Sequence, residues 1–319
     1  MSLNGKNQLR LNIGSLDVLG YAVGLSPEVI VAASQKTGHD YDPFMKVSEP
    51  APFASNPVEF KQRRIDNPIL ITKEIQKRIS RRLLRPLTLP GHLCGGVKGK
   101  SLLDNIVPHL KSRVIVTADI KSFFPSITTF QVYSIWSQLL GCSPEIAGLL
   151  TRLTTFERRL PQGAPTSSAL ANLVLFSYDQ PIRNFCAKHG ITYTTWIDDL
   201  IFSGAESRSV INVAVSALRA GGFSLPHKKL KIMTAGKRMR VTGVLLGNKP
   251  GVIRRYARDM RAGIYRLSKG DVAQPQVDRY VKRIRGRIAH INRLNPNVAR
   301  PLECQFRLVL KGGITADPQ

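Results

Sequence analysis

Acidic residues are scarce: 21 Asp and Glu face 47 Lys and Arg, leaving a formal net charge of +26. So large a surplus goes beyond what solubility requires, and on a folded chain it serves polyanions, nucleic acid first among them. Cysteine is scarce too. Cys94, Cys142, Cys186 and Cys304 are scattered, with no C-x-x-C pair. This argues against a zinc site or a disulfide framework and reads as reduced thiols in a cytoplasmic protein. No apolar run is long enough to span a bilayer, and Leu16–Leu25 is broken by Asp17 and glycines, a poor signal peptide. Internal repeats and long low-complexity tracts are absent. What is present is 319 residues with 43% hydrophobic content, ample for a sizeable core arranged as two domains or one larger domain with subdomains.

The order of elements is α+β. Residues 1–40 read as mainly helical, followed by a connector marked by Pro43, Pro50, Pro52 and Pro57. Phe60–Ile65 reads as a basic strand, and Ile71, Ile75, Ile79 and Leu83 form a helical stripe within Ile69–Leu84. Pro86–Lys100 is loop-rich, Ser101–Leu110 a short helix and Val114–Ile120 a strand. Helices are expected at Thr128–Leu140, Pro144–Leu153 and Ser167–Lys188, two strands within Thr192–Ser203, a helix at Val210–Ala220, and strands around the turn at Ala235–Gly236. This is not a repeated βαβ pattern. From Arg254 to Arg300, thirteen Lys and Arg outnumber three Asp with apolar residues interleaved, the mark of a small helical domain with a basic surface.

Three segments carry the chemistry: VIVTADIKSFFPSI (Val114–Ile127), LPQGA (Leu160–Ala164) and YTTWIDDLIF (Tyr193–Phe202). Asp119 closes a strand, Gln162 sits in a Pro/Gly loop, and Asp198–Asp199 centre a hairpin. Nucleotidyl transfer needs two divalent cations and several oxygens to hold them, and Mg²⁺ favours carboxylates. Asp119 and Asp198 can clamp both ions, with the Ile120 carbonyl as a further ligand and Asp199 adding negative field. An adjacent Asp pair alone is common in turns; the apolar flanks and the ordered neighbouring motifs single this one out.

IKSFFPSI after Asp119, LPQGAPTSSALANL, WIDDL and GFSLPHKKL resemble, in order, the palm motifs of reverse transcriptases. Asn105–His109 (NIVPH) resembles the N-A-x-x-H signature of the retron subgroup, and Val241, Thr242 and Gly243 its V-T-G. The resemblance implies a right-hand polymerase: an N-terminal helical extension (1–55), fingers (56–112), a palm with an antiparallel sheet (113–249, with a helical insertion at about 128–160) and a short basic thumb (250–319). It makes Asp119, Asp198 and Asp199 the catalytic triad, with two Mg²⁺ or Mn²⁺ ions. For the dNTP it implies Arg63 and Lys73 on the phosphates, the backbone of Ser122 and Phe123 on the triphosphate, Phe124 as the gate against a 2′-hydroxyl, Gln162 beside the template, and Lys229 near the leaving pyrophosphate. Lys228 competes with Lys229, and Phe123 fits a core role better than Phe124.

Template–primer contacts are expected from Asn105, Gly163, Trp196, Val241–Gly243, Arg283 and Arg287, and from His109, for which packing is an equal reading. Trp196–Ile197 replaces the usual Tyr–Ala, Pro226 stands where many relatives have Asn, and Ile106 replaces the signature alanine. The implied function is synthesis of short single-stranded DNA (msDNA) on a cognate noncoding RNA, primed from a guanosine 2′-hydroxyl. The implied partners are that RNA, the msDNA, dNTPs and an antiphage effector protein, with no membrane. Another small bacterial reverse transcriptase with conventional or protein priming is the nearest alternative. A non-catalytic RNA-binding scaffold is the other, and the intact acidic set argues against it.

Overall fold

The computed structural model describes residues 9–36, 40–47, 62–236 and 238–312. The chain divides into two compact units, Met1–Lys46 with Arg63–Lys237, and Val47–Gln62 with Arg238–Gln319. No single helix among the described residues is long and apolar enough to cross a membrane.

The first unit opens with α1 (Leu16–Val23) and α2 (Pro27–Lys36). Ser15 caps α1 by accepting from the Val18 N–H, and Gly24 ends it in the left-handed region at φ 68°. β1 (Tyr41–Val47) and β2 (Gln62–Pro68) form a two-stranded sheet. Phe60 and Lys61, expected in the same strand as β2, lie outside the described residues, as do Pro50, Pro52 and Pro57 of the expected connector. α3 (Leu70–Ile79) follows and ends in a π-helical turn, Ser80–Leu84. α4 (Leu102–Ile106), with a Ser101/Asp104 capping box, runs into a 3₁₀ turn, Val107–His109.

β3 (Val114–Asp119) is the hub of a four-stranded antiparallel sheet of order β4–β5–β3–β6, with β4 at Thr192–Trp196, β5 at Asp199–Ser203 and β6 at Lys231–Thr234. Its β-branched run is sequence-dictated, and burial of Ile115, Val116 and Ala118 secures it between two neighbours. Between β3 and β4 come α5 (Phe123–Ser126), α6 (Thr129–Ser134, continued as a π-helical turn Ile135–Leu139), α7 (Pro144–Thr154), α8 (Ser167–Tyr178) and α9 (Gln180–Lys188). α10 (Val210–Ala220) links β5 to a 3₁₀ turn, His227–Lys229, that leads into β6. One apolar core joins these helices to the sheet through residues such as Val116, Ile120, Trp136, Leu170 and Phe202.

One long helix over Ser167–Lys188 is expected; the structure has two. Pro181 lacks the N–H a continuous helix needs, and its ring would meet the carbonyl of Ser177. The Asp179 N–H closes α8 on the Leu175 carbonyl instead. The Asp179 side chain is fully buried, held by Arg183 at 2.7 Å and by His92 at 2.7 Å.

The second unit contains the hairpin β7 (Met239–Val241) and β8 (Val244–Leu246) and three helices, α11 (Arg254–Ser268), α12 (Val277–Leu294) and α13 (Pro296–Lys311). Met260, Ile264, Ile284, Ile288, Ile291, Leu302 and Phe306 give it a core of its own. The second unit resumes at Arg238, twelve residues before the expected boundary at 250. The reason lies in strand pairing: β6 pairs with β3 whereas β7 pairs with β8, so the turn at Ala235–Gly236 joins two different sheets.

Candidate active site

Antiparallel register brings the three aspartates together. β3 and β5 pair so that Asp119 lies directly opposite Asp199, and β4 pairs with β5 so that Trp196 lies opposite Asp199. Directly opposite residues project from the same face of a sheet. Only Ile197 and Asp198 remain to make the turn, and the Ile120 N–H donates to the Asp198 carbonyl at 3.0 Å, fastening the turn to the end of β3.

This corner is electrostatically uncomfortable for its acids. Burial, then the neighbouring charges of Asp198 and Asp119, push the Asp199 carboxyl up to about 6. Burial chiefly, and also Asp119, raise Asp198, while its own backbone hydrogen bond, Lys229 and Arg63 pull it down. Among the described residues no three His, Cys, Asp or Glu side chains make a ready metal cage. Mg²⁺ in general needs only one or two protein carboxylates and completes its shell with water and substrate phosphates. Clustered, desolvated carboxylates that resist ionisation are the donor set a divalent cation relieves.

Lys229 forms an ion pair with Asp119. Lys229 is the last residue of the 3₁₀ turn His227–Lys229 that leads into β6, and the tertiary structure brings it, and not Lys228, to Asp119. After β3, Ser122 adopts φ 50° and starts α5, whose first-turn amides have no partner within the helix. Phe123 is 2% exposed and packs edge-on against Phe223 at 5.3 Å, a core residue. Phe124 is half-buried beside it.

The LPQG loop is stitched to β2. The Gln162 carbonyl accepts from the Asp66 N–H at 2.8 Å, and Gly163 sits at φ 118° where a Cβ would lie 2.7 Å from Ile65 Cγ2. The close approach that Gly163 permits in this structure is therefore to the protein's own strand. Asp66, 3% exposed, was not singled out by motif; it binds Arg64 at 2.9 Å. It lies one residue beyond the strand expected over Phe60–Ile65, and no sequence signal marked it. Arg63, exposed, extends its field to Asp198, whereas Lys73 donates to Asn67 Oδ1 at 3.0 Å.

For Asn105 and His109 the structure takes the packing reading, and the expected RNA contact is corrected. Both are fully buried. His109 Nδ1 pairs with Ser203 Oγ at 2.7 Å and Nε2 with Thr194 Oγ1 at 2.8 Å, while the Thr194 hydroxyl donates to Asn105 Oδ1 at 2.8 Å. One imidazole thus ties β4 to β5. Burial lowers its pKa to about 4, keeping it neutral.

Val241–Gly243 is also given a local explanation. Val241 is 2% exposed and pairs with Val244, leaving Thr242 (φ 42°) and Gly243 (φ 86°) as a two-residue turn with both φ positive. A direct RNA contact by the Val241 side chain is excluded by its burial. Arg283 and Arg287 lie on α12 of the second unit, with the Arg287 guanidinium 5.9 Å from the Tyr256 ring centroid.

Residues 59–246, a span that includes β2 to β8, match the family model for reverse transcriptase (RNA-dependent DNA polymerase). The chain belongs to the reverse transcriptase family. It is of the retron type: it is 29% identical to the Retron Ec86 reverse transcriptase of Escherichia coli over 237 residues, 73% of this chain and 72% of that protein. It is 30% identical over 251 residues to the Retron Mx65 reverse transcriptase of Myxococcus xanthus, covering 72% of this chain and 58% of that protein. It is 27% identical over 247 residues to the Retron Se72 reverse transcriptase of Salmonella heidelberg (strain 579083-10), covering 73% and 65%. The chain thus spans less than two thirds of two of these three relatives. The reverse transcriptase's aspartates, LPQG loop and Lys229 all lie within the matched segment.

Proposed function

We propose that this chain is the polymerase of a retron, copying a cognate structured noncoding RNA into short single-stranded msDNA from an internal guanosine 2′-hydroxyl and staying bound to the hybrid. The observation that carries the reading is the direct opposition of Asp119 and Asp199 beside the Asp198 turn, in a chain whose relatives are named retron reverse transcriptases. In this reading residues 56–112 act as fingers, 113–237 as palm and 238–319 as thumb.

Two Mg²⁺ or Mn²⁺ ions held by Asp119, Asp198 and the Ile120 carbonyl, with Asp199 adding charge, would activate the attacking hydroxyl and stabilise the leaving pyrophosphate. The chain's own groups do the rest. Arg63 and Lys73 neutralise the triphosphate, aided by the amides of Ser122 and Phe123 at the start of α5, because fixed charge and dipoles aimed at the transferring group lower its barrier. Lys229 releases Asp119 and turns to the departing pyrophosphate. Gln162 orients the nucleotide, Trp196 supports the primer end and Phe124 excludes the ribose 2′-hydroxyl. The basic α11–α13 unit grips the RNA backbone, with Arg283 and Arg287 among its contacts. An effector protein encoded alongside would couple the complex to antiphage defence.

The test is to express the chain with its native upstream region and extract nucleic acid from the purified protein. A discrete short DNA whose mobility changes after RNase and debranching treatment, and which is lost with Asp198→Ala/Asp199→Ala, is the expected result. DNA without a branch would replace 2′-hydroxyl priming with another mode. No DNA, and no extension of an added primer–template in Mg²⁺, would leave an RNA-binding scaffold.

A further inference from the structure

The sequence marks Pro86–Lys100 only as a loop, yet part of it backs the catalytic turn. The Thr195 N–H donates to the His92 carbonyl at 2.8 Å, and the Cys94 N–H donates to the Thr195 carbonyl at 3.0 Å. Leu93 is thereby bridged in parallel to Thr195, on the side of β4 away from β5. The chain then presses Gly95 onto the turn: a Cβ there would lie 2.6 Å from the Ile197 nitrogen and 2.8 Å from the Trp196 carbonyl carbon. Gly95 does not occupy the left-handed region, so its missing side chain serves contact and not conformation.

α8 holds this loop from behind. Asn172, fully buried, donates its Nδ2–H to the Gly95 carbonyl at 2.8 Å. One turn earlier Ser168 meets Gly96, where a Cβ would stand 2.9 Å from Ser168 Cβ. The first residue of the same helix anchors the nucleotide loop, since Ser167 Oγ donates to the Pro161 carbonyl at 2.6 Å. One helix therefore braces both the LPQG loop and the support of the Asp198–Asp199 turn.

That turn needs support. Ile197 sits at φ 61°, a left-handed conformation that β-branched side chains resist. Such strain persists only where the surroundings over-determine it.

We propose that Asn172 and Gly95 are positioning residues for polymerisation: together they hold the strained Ile197 turn and so set where Asp198 and Asp199 stand relative to Asp119 and the Gln162 loop. The proposal rests on the polymerase reading above. Losing the Asn172 tether frees the turn to relax, and adding a methyl at Gly95 displaces it directly. Either perturbation moves the carboxylates and leaves the nucleotide-binding groups untouched.

The test compares the whole chain with Asn172→Ala, Gly95→Ala, Asp198→Asn and Thr154→Val, extending an annealed primer–template in a Mg²⁺ titration. Thr154 is a matched control, fully buried, with its hydroxyl donated within α7 to Leu150 at 2.7 Å. Extension by the unaltered chain and none by Asp198→Asn would uphold the polymerase reading; no extension by the unaltered chain would sink that reading before the variants are considered. Asn172→Ala and Gly95→Ala should each lose roughly ten- to a hundredfold in kcat. Their dNTP KM should stay within about twofold, and Mg²⁺ half-saturation should rise, while Thr154→Val keeps its kcat and Mg²⁺ curve. The positioning role is overturned if the two variants behave like Thr154→Val, or if KM carries the loss and kcat does not.

Discussion

The two units handle charge in opposite ways. At the end of the β3–β5 ladder, three carboxylates are crowded and partly desolvated, so that one titrates near 6. On α11–α13, cations such as Arg261, Arg285 and Arg300 are spread over exposed surface around a separate apolar core. The first arrangement stores repulsion that ligands must relieve, and its effect depends on position to within a fraction of an ångström. The second repels little per residue and acts through the summed field, so no single cation is decisive. Geometry governs one region, charge count the other.

That contrast predicts a hierarchy of effects. Asp119→Asn removes a carboxylate and the partner of Lys229, and should lower primer extension by at least about a thousandfold; activity within tenfold of the unaltered chain would remove Asp119 from the metal set. Next comes pH. Asp199 is raised from 3.8 to about 6 in the folded chain, so without metal the ionisation penalty is absent below the lower value and complete above the upper one. Metal-free Asp199→Asn should therefore gain thermal stability over the unaltered chain at pH 7.5 and not at pH 3.5, and Mg²⁺ affinity of the unaltered chain should weaken as pH falls through 6. Equal melting differences at both pH values would show that the carboxylates are not crowded.

His109→Ala separates packing from RNA contact. It strips Thr194 and Ser203 of their buried partner and should destabilise folding by about 3 kcal/mol, measured by denaturant unfolding, with RNA affinity of the folded fraction unchanged. A weakened affinity without a stability loss would restore the RNA-contact reading. The smallest effect belongs to the basic helices. Arg285→Ala should reduce the salt slope of RNA binding by about one unit and weaken binding only a few-fold; a loss as large as that of Asp119→Asn in extension would mean that one cation, and not the field, governs that surface.

The strand and hairpin that carry the aspartates were legible because their signals are local. Val114–Asp119 and Tyr193–Phe202 carry β-branched and apolar residues on both sides of the acids, and a two-residue turn leaves little freedom in register. Lys229 shows where legibility stops: the motif left Lys228 as a close competitor, and only the folded position of the 3₁₀ turn shows that Lys229 is the one paired with Asp119. Asn105 and His109 look like ligands in a sequence because they are polar. Whether a polar side chain meets RNA or a buried hydroxyl depends on the surface packed against it, here supplied by strands some ninety residues away. Pro181 was a local signal for the α8–α9 break.

By itself the sequence determined the chemistry on offer: which acids end strands, which glycines turn, how far basic charge exceeds acidic. These follow from backbone propensities and side-chain identity over a few residues. Tertiary structure alone decided that Asp119 faces Asp199, that Gly163 abuts Ile65, and that Asn172 braces Gly95 beneath a strained Ile197. Each joins residues dozens of positions apart, and at that range periodicity carries no information. Strand register and close packing set those distances.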